Sequence, residues 1–296
     1  RRYRRQQAGL DFAPLLLGFG CSVPAILSTR RIETRSDRLV TIAVLPMMSC
    51  AGRLPIYMMF VSALFPSRLQ APVLFGIYAS GVLLALCCAR LLKNTLFKAP
   101  QRDSLHHMKR LRLPSLRKVG ILMWSRAFMY VRKAGTFILG ASIILWFLNT
   151  YPRPEENTAP TNAAAMEHSY AGQIGHWMEP VTQVAGFDWK INSALVGAFA
   201  AKEIFVTQMG ILYAVEDGNS APAAQQTLNA RLKASYTPLQ GISIMIFCLI
   251  ALPCIGTVTV AKREAGTWWF ALAQFGGLTL LGFATATLIY QAGLLL

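Results

Sequence analysis

LLLGFGCSVPAILSTRR, Leu15 to Arg31, decides how this chain is read. The stretch is apolar, yet Gly18, Gly20, Cys21, Ser22 and Pro24 fall within it in quick succession. In a helix interior glycine costs about 1 kcal/mol and proline about 3 kcal/mol relative to alanine. Proline also leaves a carbonyl without its helical donor. In hydrocarbon such a break survives only where the freed backbone groups line a protein cavity or coordinate something. The Cys21 thiol stands at the break and marks a candidate path for a metal or another substrate. The same residues also fit a kink that merely lets helices approach, with Cys21 as a small apolar filler.

The surrounding composition sets the class. Of 296 residues, 54% are hydrophobic and 14% charged, against roughly 25% charged in soluble domains. Mean hydropathy is +0.42. Several apolar runs approach or exceed the roughly 20 residues needed to cross about 30 Å of hydrocarbon. The chain reads as an all-α polytopic membrane protein. Its formal charge of +16 gathers in short stretches between apolar runs, where the positive-inside rule accounts for it without nucleic acid. All six cysteines (Cys21, Cys50, Cys87, Cys88, Cys248, Cys254) lie in apolar segments, unlike a disulfide framework in exposed loops. The opening Arg1-Arg2-Tyr3-Arg4-Arg5 resembles no signal peptide and reads as the edge of a longer protein.

Basic clusters flank residues 10–29 on both sides: Arg1, Arg2, Arg4 and Arg5 before, Arg30, Arg31, Arg35 and Arg38 after. A re-entrant hairpin tipped at Gly18–Pro24 keeps both inside, and arms of about ten residues reach about half-way through the core. Residues 39–65 form a broken helix, because Pro46, Gly52, Arg53 and Pro55 interrupt it beside Met47, Met48, Ser49 and Cys50. Residues 72–92 cross back and complete a first unit, 10–92. Cys87 and Cys88 near its end are adjacent, about 100° apart on a helix, and read as packing residues.

Residues 93–150 comprise a basic inner loop with His106-His107, an interfacial helix over Leu116–Lys133, and a crossing over Ala134–Leu148. Residues 151–189 carry five acids against Arg153 and read as an outer loop, with His168 and His176 as ordinary exposed histidines. The second unit, 190–296, is a hairpin over 191–214, a broken helix over 238–260 and a helix over 268–294. Lys202 and Glu203 stand in the middle of the second hairpin, where ionisable residues face a cavity or a partner. The second broken helix is interrupted at Pro253-Cys254-Ile255-Gly256. The two units are read as inverted repeats whose discontinuous helices meet near the midplane.

The side chains at the breaks define the chemistry. Cys21, Cys50 and Cys254 supply thiols, Met47 and Met48 thioethers, Glu203 a harder oxygen and Ser49 a hydroxyl. Thiolate and thioether suit late first-row and d¹⁰ metals, and a metal deprotonates the thiol that binds it. No CxxC or HxxxH spacing supports a closed site, and no nucleophile–base set or HExxH supports an enzyme. A nucleoside or other solute carrier of the same hairpin plan, and a membrane anchor or signalling protein without a path, are the alternatives.

At these residues the sequence resembles a known family. GFGCSVPAILSTR followed by DRLVTIAVLPMMSCAGRLPIY resembles the first gate of the ferrous iron transport protein B (FeoB) family. LVGAFAAKEIFV resembles its second gate, and LPCIGTVTVAKREAGTW its downstream cysteine segment. KAGTFILGASIILWFL and LIYQAGLLL are similar to its central and C-terminal regions. The resemblance implies Fe(II) import across the bacterial inner membrane, with Fe(II) as cargo. It implies a GTP- and Mg-binding N-terminal G domain, of which no GxxxxGK[ST] is found here. It further implies small cytosolic accessory proteins and a homo-oligomer. It places the gate cysteines at Cys21 and Cys254, with Cys50 beside the broken helix. Arg53, Lys202 and Glu264 then pair with one another or brace the hairpins.

Overall fold

The computed structural model describes residues 12–32, 34–95, 115–152, 167–213, 221–251 and 253–295. Among the described residues all regular structure is helical. His106, His107 and most of the basic loop lie outside them.

The first unit opens with α1 (Phe12–Gly20) and α2 (Ser22–Ser28), joined by Cys21 alone. Cys21 is extended, at φ −155° and ψ 132°. Pro24 therefore falls in the first turn of α2, where the N–H it lacks would have no helical acceptor anyway. The same logic places Pro46 and Pro55. The first broken helix runs as α3 (Arg35–Val44), a 3-10 turn over Leu45–Met47 holding Pro46, an extended piece through Cys50, a 3-10 turn over Ala51–Arg53, and α4 (Leu54–Leu64) with Pro55 in its first turn. Each of these three prolines ends one helical segment by starting the next. The long helix α5 (Ser67–Thr95) closes the unit.

Two helices separate the units. The stretches expected as interfacial and spanning are one uninterrupted helix, α6 (Leu116–Thr150), followed by α7 (Tyr170–Thr182). The second unit repeats the order of the first. Its hairpin is α8 (Trp189–Ala200) and α9 (Lys202–Tyr213), joined by extended Ala201 at φ −150° and ψ 134°. After α10 (Ala221–Ser235) comes the second broken helix, α11 (Pro238–Ile250) and α12 (Ile255–Ala265), then α13 (Trp268–Leu294). Thr237 and Gln240 form a reciprocal capping box that starts α11. Gly266, at φ +84°, ends α12 in the left-handed region that glycine occupies without strain.

Among the described residues four stretches are long and apolar enough to cross a membrane: Arg35–Leu64, Ser67–Thr95, Pro238–Ala265 and Trp268–Leu295. Two of the four are the broken helices, and these are the more buried pair. The intact α5 and α13 expose large apolar side chains such as Phe75, Leu83, Leu280 and Leu288, as lipid-facing helices do. Each intact helix meets its unit's break through a glycine. A Cβ on Gly81 would stand 3.3 Å from Met47 O, and one on Gly282 would stand 3.1 Å from Ala251 N. Small residues at these two points let the backbones approach. The main core joins α4, α5, α8, α9 and α11. A smaller cluster of Ala25, Ile26, Ile42, Leu45 and Ala261 seats the first hairpin on α3 and α12.

Candidate functional site

Among the described residues the hairpins and crossing helices break at four places, and three of them carry a cysteine on the extended residue before the next helical segment. Cys21 precedes α2, Cys50 (φ −76°, ψ 163°) precedes the turn into α4, and Cys254 (φ −61°, ψ 155°) precedes α12. Ala201 holds the fourth such position. A residue there faces the unpaired N–H groups of a helix start, whose partial positive charge favours an anion such as a thiolate. All six cysteines are thiols, and these three are half-buried. Cys254 Sγ lies 3.1 Å from Thr257 Oγ1.

Local contacts draw the breaks together. Gly18 of α1 abuts the Met48 side chain, where an added Cβ would stand 3.1 Å from Met48 Cβ. Across the hairpin tip, Val23 is the neighbour of Gly256 on α12. Cys21 thus sits on the segment between a contact to the first break and a contact to the second. The second hairpin approaches from the other direction. A Cβ on Gly52 would come 2.7 Å from Glu203 Oε1 and 3.8 Å from Lys202 Cβ. Lys202 Nζ donates to Cys248 O at 3.2 Å and Ala251 O at 3.3 Å. It also lies within electrostatic range of Arg53 and of the Cys50, Cys248 and Cys254 thiols.

The remaining candidates divide by burial. Glu203 is exposed, whereas Met47, Met48 and Ser49 are buried. The two methionines belong to the main core or line its edge, with Met48 filling the space that Gly18 leaves. Ser49 Oγ lies beside Tyr57 Oη, yet neither makes a hydrogen bond of good geometry. Arg53 Nε is likewise buried without a partner, while its Nη1 donates to Met48 O at 2.9 Å. The first break therefore holds three under-satisfied polar atoms among the described residues. Among those residues no group of three or more His, Cys, Asp or Glu side chains is arranged to hold a metal ion.

Arg53, Lys202 and Glu264 do not pair with one another. Arg53 and Lys202 hold carbonyls at the breaks, and Glu264 on α12 takes Arg30, at the foot of the first hairpin, through both oxygens at 2.8 and 2.5 Å. Each braces a hairpin or a break. His176 stacks on Trp189 with ring centroids 4.8 Å apart and faces Glu179 and Glu167.

Sequence reasoning missed the polar interior of the second hairpin. Gln208 Nε2 donates to Ser193 Oγ and Asn149 Oδ1, each at 3.1 Å. Asn192 Nδ2 donates to Gly175 O and Thr182 Oγ1. At the hairpin's open end, Tyr213 Oη donates to Tyr236 Oη, which donates to the Asp188 carboxylate at 2.9 Å. Asp188 also caps α8 through Ile191 N. Burial pushes the Asp188 carboxyl above its ordinary value, and burial beside that carboxylate raises the Tyr236 phenol further. An uncharged amide or hydroxyl inside an apolar run was the available signal.

The fold and its breaks define a helical membrane protein of the gate class. The family described as "Gate: Nucleoside recognition" matches residues 7–64 and 131–268. The one described as "Ferrous iron transport protein B C terminus" matches residues 74–126. The chain belongs to the FeoB family and corresponds to that protein's C-terminal membrane part. It is 38% identical to the Fe(2+) transporter FeoB of Campylobacter jejuni, over 90% of this chain and 44% of that protein. It is 36% identical to a Porphyromonas gingivalis Fe(2+) transport protein A/FeoB fusion protein, over 97% of this chain and 38% of that one. It is 32% identical to the Helicobacter pylori FeoB, over 96% and 48%. The chain spans less than half the length of these relatives. No solved structure matches it.

Proposed function

We propose that this chain forms the path by which Fe(II) crosses the bacterial inner membrane, with Cys21, Cys50, Cys254 and Glu203 as transient ligands and Ser49, Met47 and Met48 as secondary donors. The observation that carries this reading is the placement of a cysteine at three of the four helix breaks. Thiolates supply soft donors and Glu203 a hard one, a mixed set that suits a borderline ion. Spread over separate breaks, they hand the ion on instead of trapping it. Relatives bearing the name Fe(2+) transporter support Fe(II) as the ion. Transport is coupled to GTP hydrolysis in a G domain outside this chain, and the protein works as a homo-oligomer. The fused relative points to a small protein of the transport-protein-A type as a partner.

The nucleoside reading has one observation in its favour, the buried amides of Asn192 and Gln208. Their N–H groups are already spent on Gly175, Thr182, Ser193 and Asn149. Only their carbonyl oxygens, buried without a partner, are left to receive a donor from a base or ribose.

The test is Fe(II) uptake into proteoliposomes by Cys21→Ser, Cys50→Ser and Cys254→Ser. Uptake is expected to fall on the order of tenfold for each, equivalent to about 1.4 kcal/mol. Labelling of Cys21 by a thiol reagent is expected to slow when Fe(II) is present. Uptake unchanged in all three variants would refute the cysteine path, and competition by nucleosides would favour the other reading.

A further inference from the structure

The carbonyl end of α11 is a place built for a cation. A helix leaves its last carbonyls without intrahelical donors, and they carry the negative end of its dipole. In transporters with discontinuous helices, such ends coordinate the coupling ion. Here α11 stops at Ile250, and the Lys202 ammonium lies 3.2 Å from Cys248 O and 3.3 Å from Ala251 O. Lys202 is buried, at 7% exposure, and forms no ion pair among the described residues. The charge that acts on it most strongly is Arg53, which is also positive.

The first break repeats the arrangement. Arg53, 2% exposed, gives Nη1 to Met48 O at 2.9 Å and has no carboxylate partner among the described residues. A buried cation without an anion is costly unless dipoles replace the lost water. Both broken helices supply those dipoles, and both receive a tethered side chain.

We infer that Lys202 occupies, as a built-in counter-ion, a monovalent-cation site formed by Cys248 O and Ala251 O. The wild-type protein therefore needs no soluble cation there, and removing the ammonium opens the site to one. Potassium and ammonium are the ions expected, because a spacing near 3 Å suits them without collapse of the carbonyls. The inference rests on the transport reading only in its uptake arm.

The experiment compares wild type with Lys202→Ala and the length-preserving Lys202→Met. Thermal unfolding in detergent is followed against KCl or NH₄Cl, with N-methylglucamine chloride keeping ionic strength constant. Both variants are expected to gain about 5 °C at saturating cation, as ligand linkage predicts, and wild type and Lys202→Arg are expected to gain nothing. Fe(II) uptake by Lys202→Ala should fall about tenfold in N-methylglucamine and recover to within about threefold of wild type in potassium or ammonium. Variants that fold only with those cations would support the site. Variants with no cation-specific gain, or that fold in no buffer, would overturn it. Cation-dependent stability in a protein whose wild type moves no iron would sink the transport reading and leave this site standing.

Discussion

Hairpin α1–α2 turns on Cys21 at φ −155° and ψ 132°, and hairpin α8–α9 turns on Ala201 at φ −150° and ψ 134°. The backbones agree within a few degrees while the side chains diverge. The first hairpin exposes Leu16, Leu17 and Phe19, carries a thiol at its tip, and is tied at its foot by the Arg30–Glu264 pair. The second buries Asn192, Ser193 and Gln208, follows its tip with buried Lys202, and is pinned at its open end by Asp188, Tyr213 and Tyr236. An extended residue between two short helices sets the shape of a gate. What hangs on it decides whether the hairpin is a fixture or a moving part. The hydrogen-bonded interior predicts that the second hairpin is the fixture and that the first is the one to move.

Glycine substitutions break this comparison most sharply. A Cβ on Gly175 would sit 2.5 Å from Trp189 O and 3.3 Å from Ser193 N, both backbone at the root of the second hairpin. Backbone cannot give way, so Gly175→Ala is expected to cost about 3 kcal/mol or more. On the first hairpin, Gly18→Ala meets only the Met48 and Leu45 side chains at 3.1–3.4 Å, and methionine adapts. About 1 kcal/mol or less is expected there. Gly20 has open space around it, so Gly20→Ala should be neutral or stabilise by up to about 1 kcal/mol. Denaturant midpoints in detergent would check the order. Equal losses at Gly175 and Gly18 would erase the distinction between fixture and moving part.

The pin at the open end of the second hairpin gives the next largest effect. Tyr236→Phe removes the hydroxyl that serves both Asp188 and Tyr213. It leaves a buried carboxylate short of a donor, at a cost of about 1–3 kcal/mol. The same site makes a pH prediction. Burial holds the Asp188 carboxyl above the ordinary value of 3.8, so the folded state keeps that proton more tightly than the unfolded state. The associated stability is present below the ordinary carboxylate range and is lost as pH rises through the raised folded value. Asp188→Asn retains an acceptor for Ile191 N and removes the charge. The difference in melting temperature between wild type and Asp188→Asn should therefore shift in favour of the variant as pH rises through this window. A difference that is constant with pH would show that Asp188 titrates as it does in the unfolded chain.

What the sequence disclosed and what it hid follow from separation along the chain. Three of the four breaks are legible because their cause is local: Pro24, Pro46, Pro55 and Pro253 cannot sit inside a helix without removing a bond, whereas the break at Ala201 has no proline beside it. The repeated order of hairpin, broken helix and long helix follows from those local signals. The partners of the charged residues are not local. Lys202 reaches carbonyls 46 and 49 positions away, Arg30 reaches Glu264 across 234, and Tyr236 reaches Asp188 across 48. Met47 and Met48 show a different limit. A thioether that lines a path and one that fills a core have the same side chain, and burial alone assigns them here to the interior of this conformation. The boundary expected near Lys133 within 116–150 is absent because charge changes along that stretch while helix propensity does not.

The foot of the first hairpin carries the smallest expected effect on stability and the most direct reading on motion. Arg30 is half exposed, with 53% of its side chain accessible, while Glu264 is 6% accessible. Water screens the guanidinium side of the pair, so a double-mutant cycle with Arg30→Ala and Glu264→Ala should give a coupling of only about 0.5–1 kcal/mol. Added salt should shrink it further. The pair nevertheless joins α12 to the end of α2, and α12 also meets the hairpin at Gly256 and Val23. Releasing the foot frees a lever whose other end is Cys21. Thiol labelling of Cys21 in Arg30→Ala is therefore expected to be several-fold faster than in wild type, with a melting temperature nearly unchanged. Labelling at the wild-type rate would mean that the small core cluster holds the hairpin without its salt bridge, and both hairpins would then be fixtures.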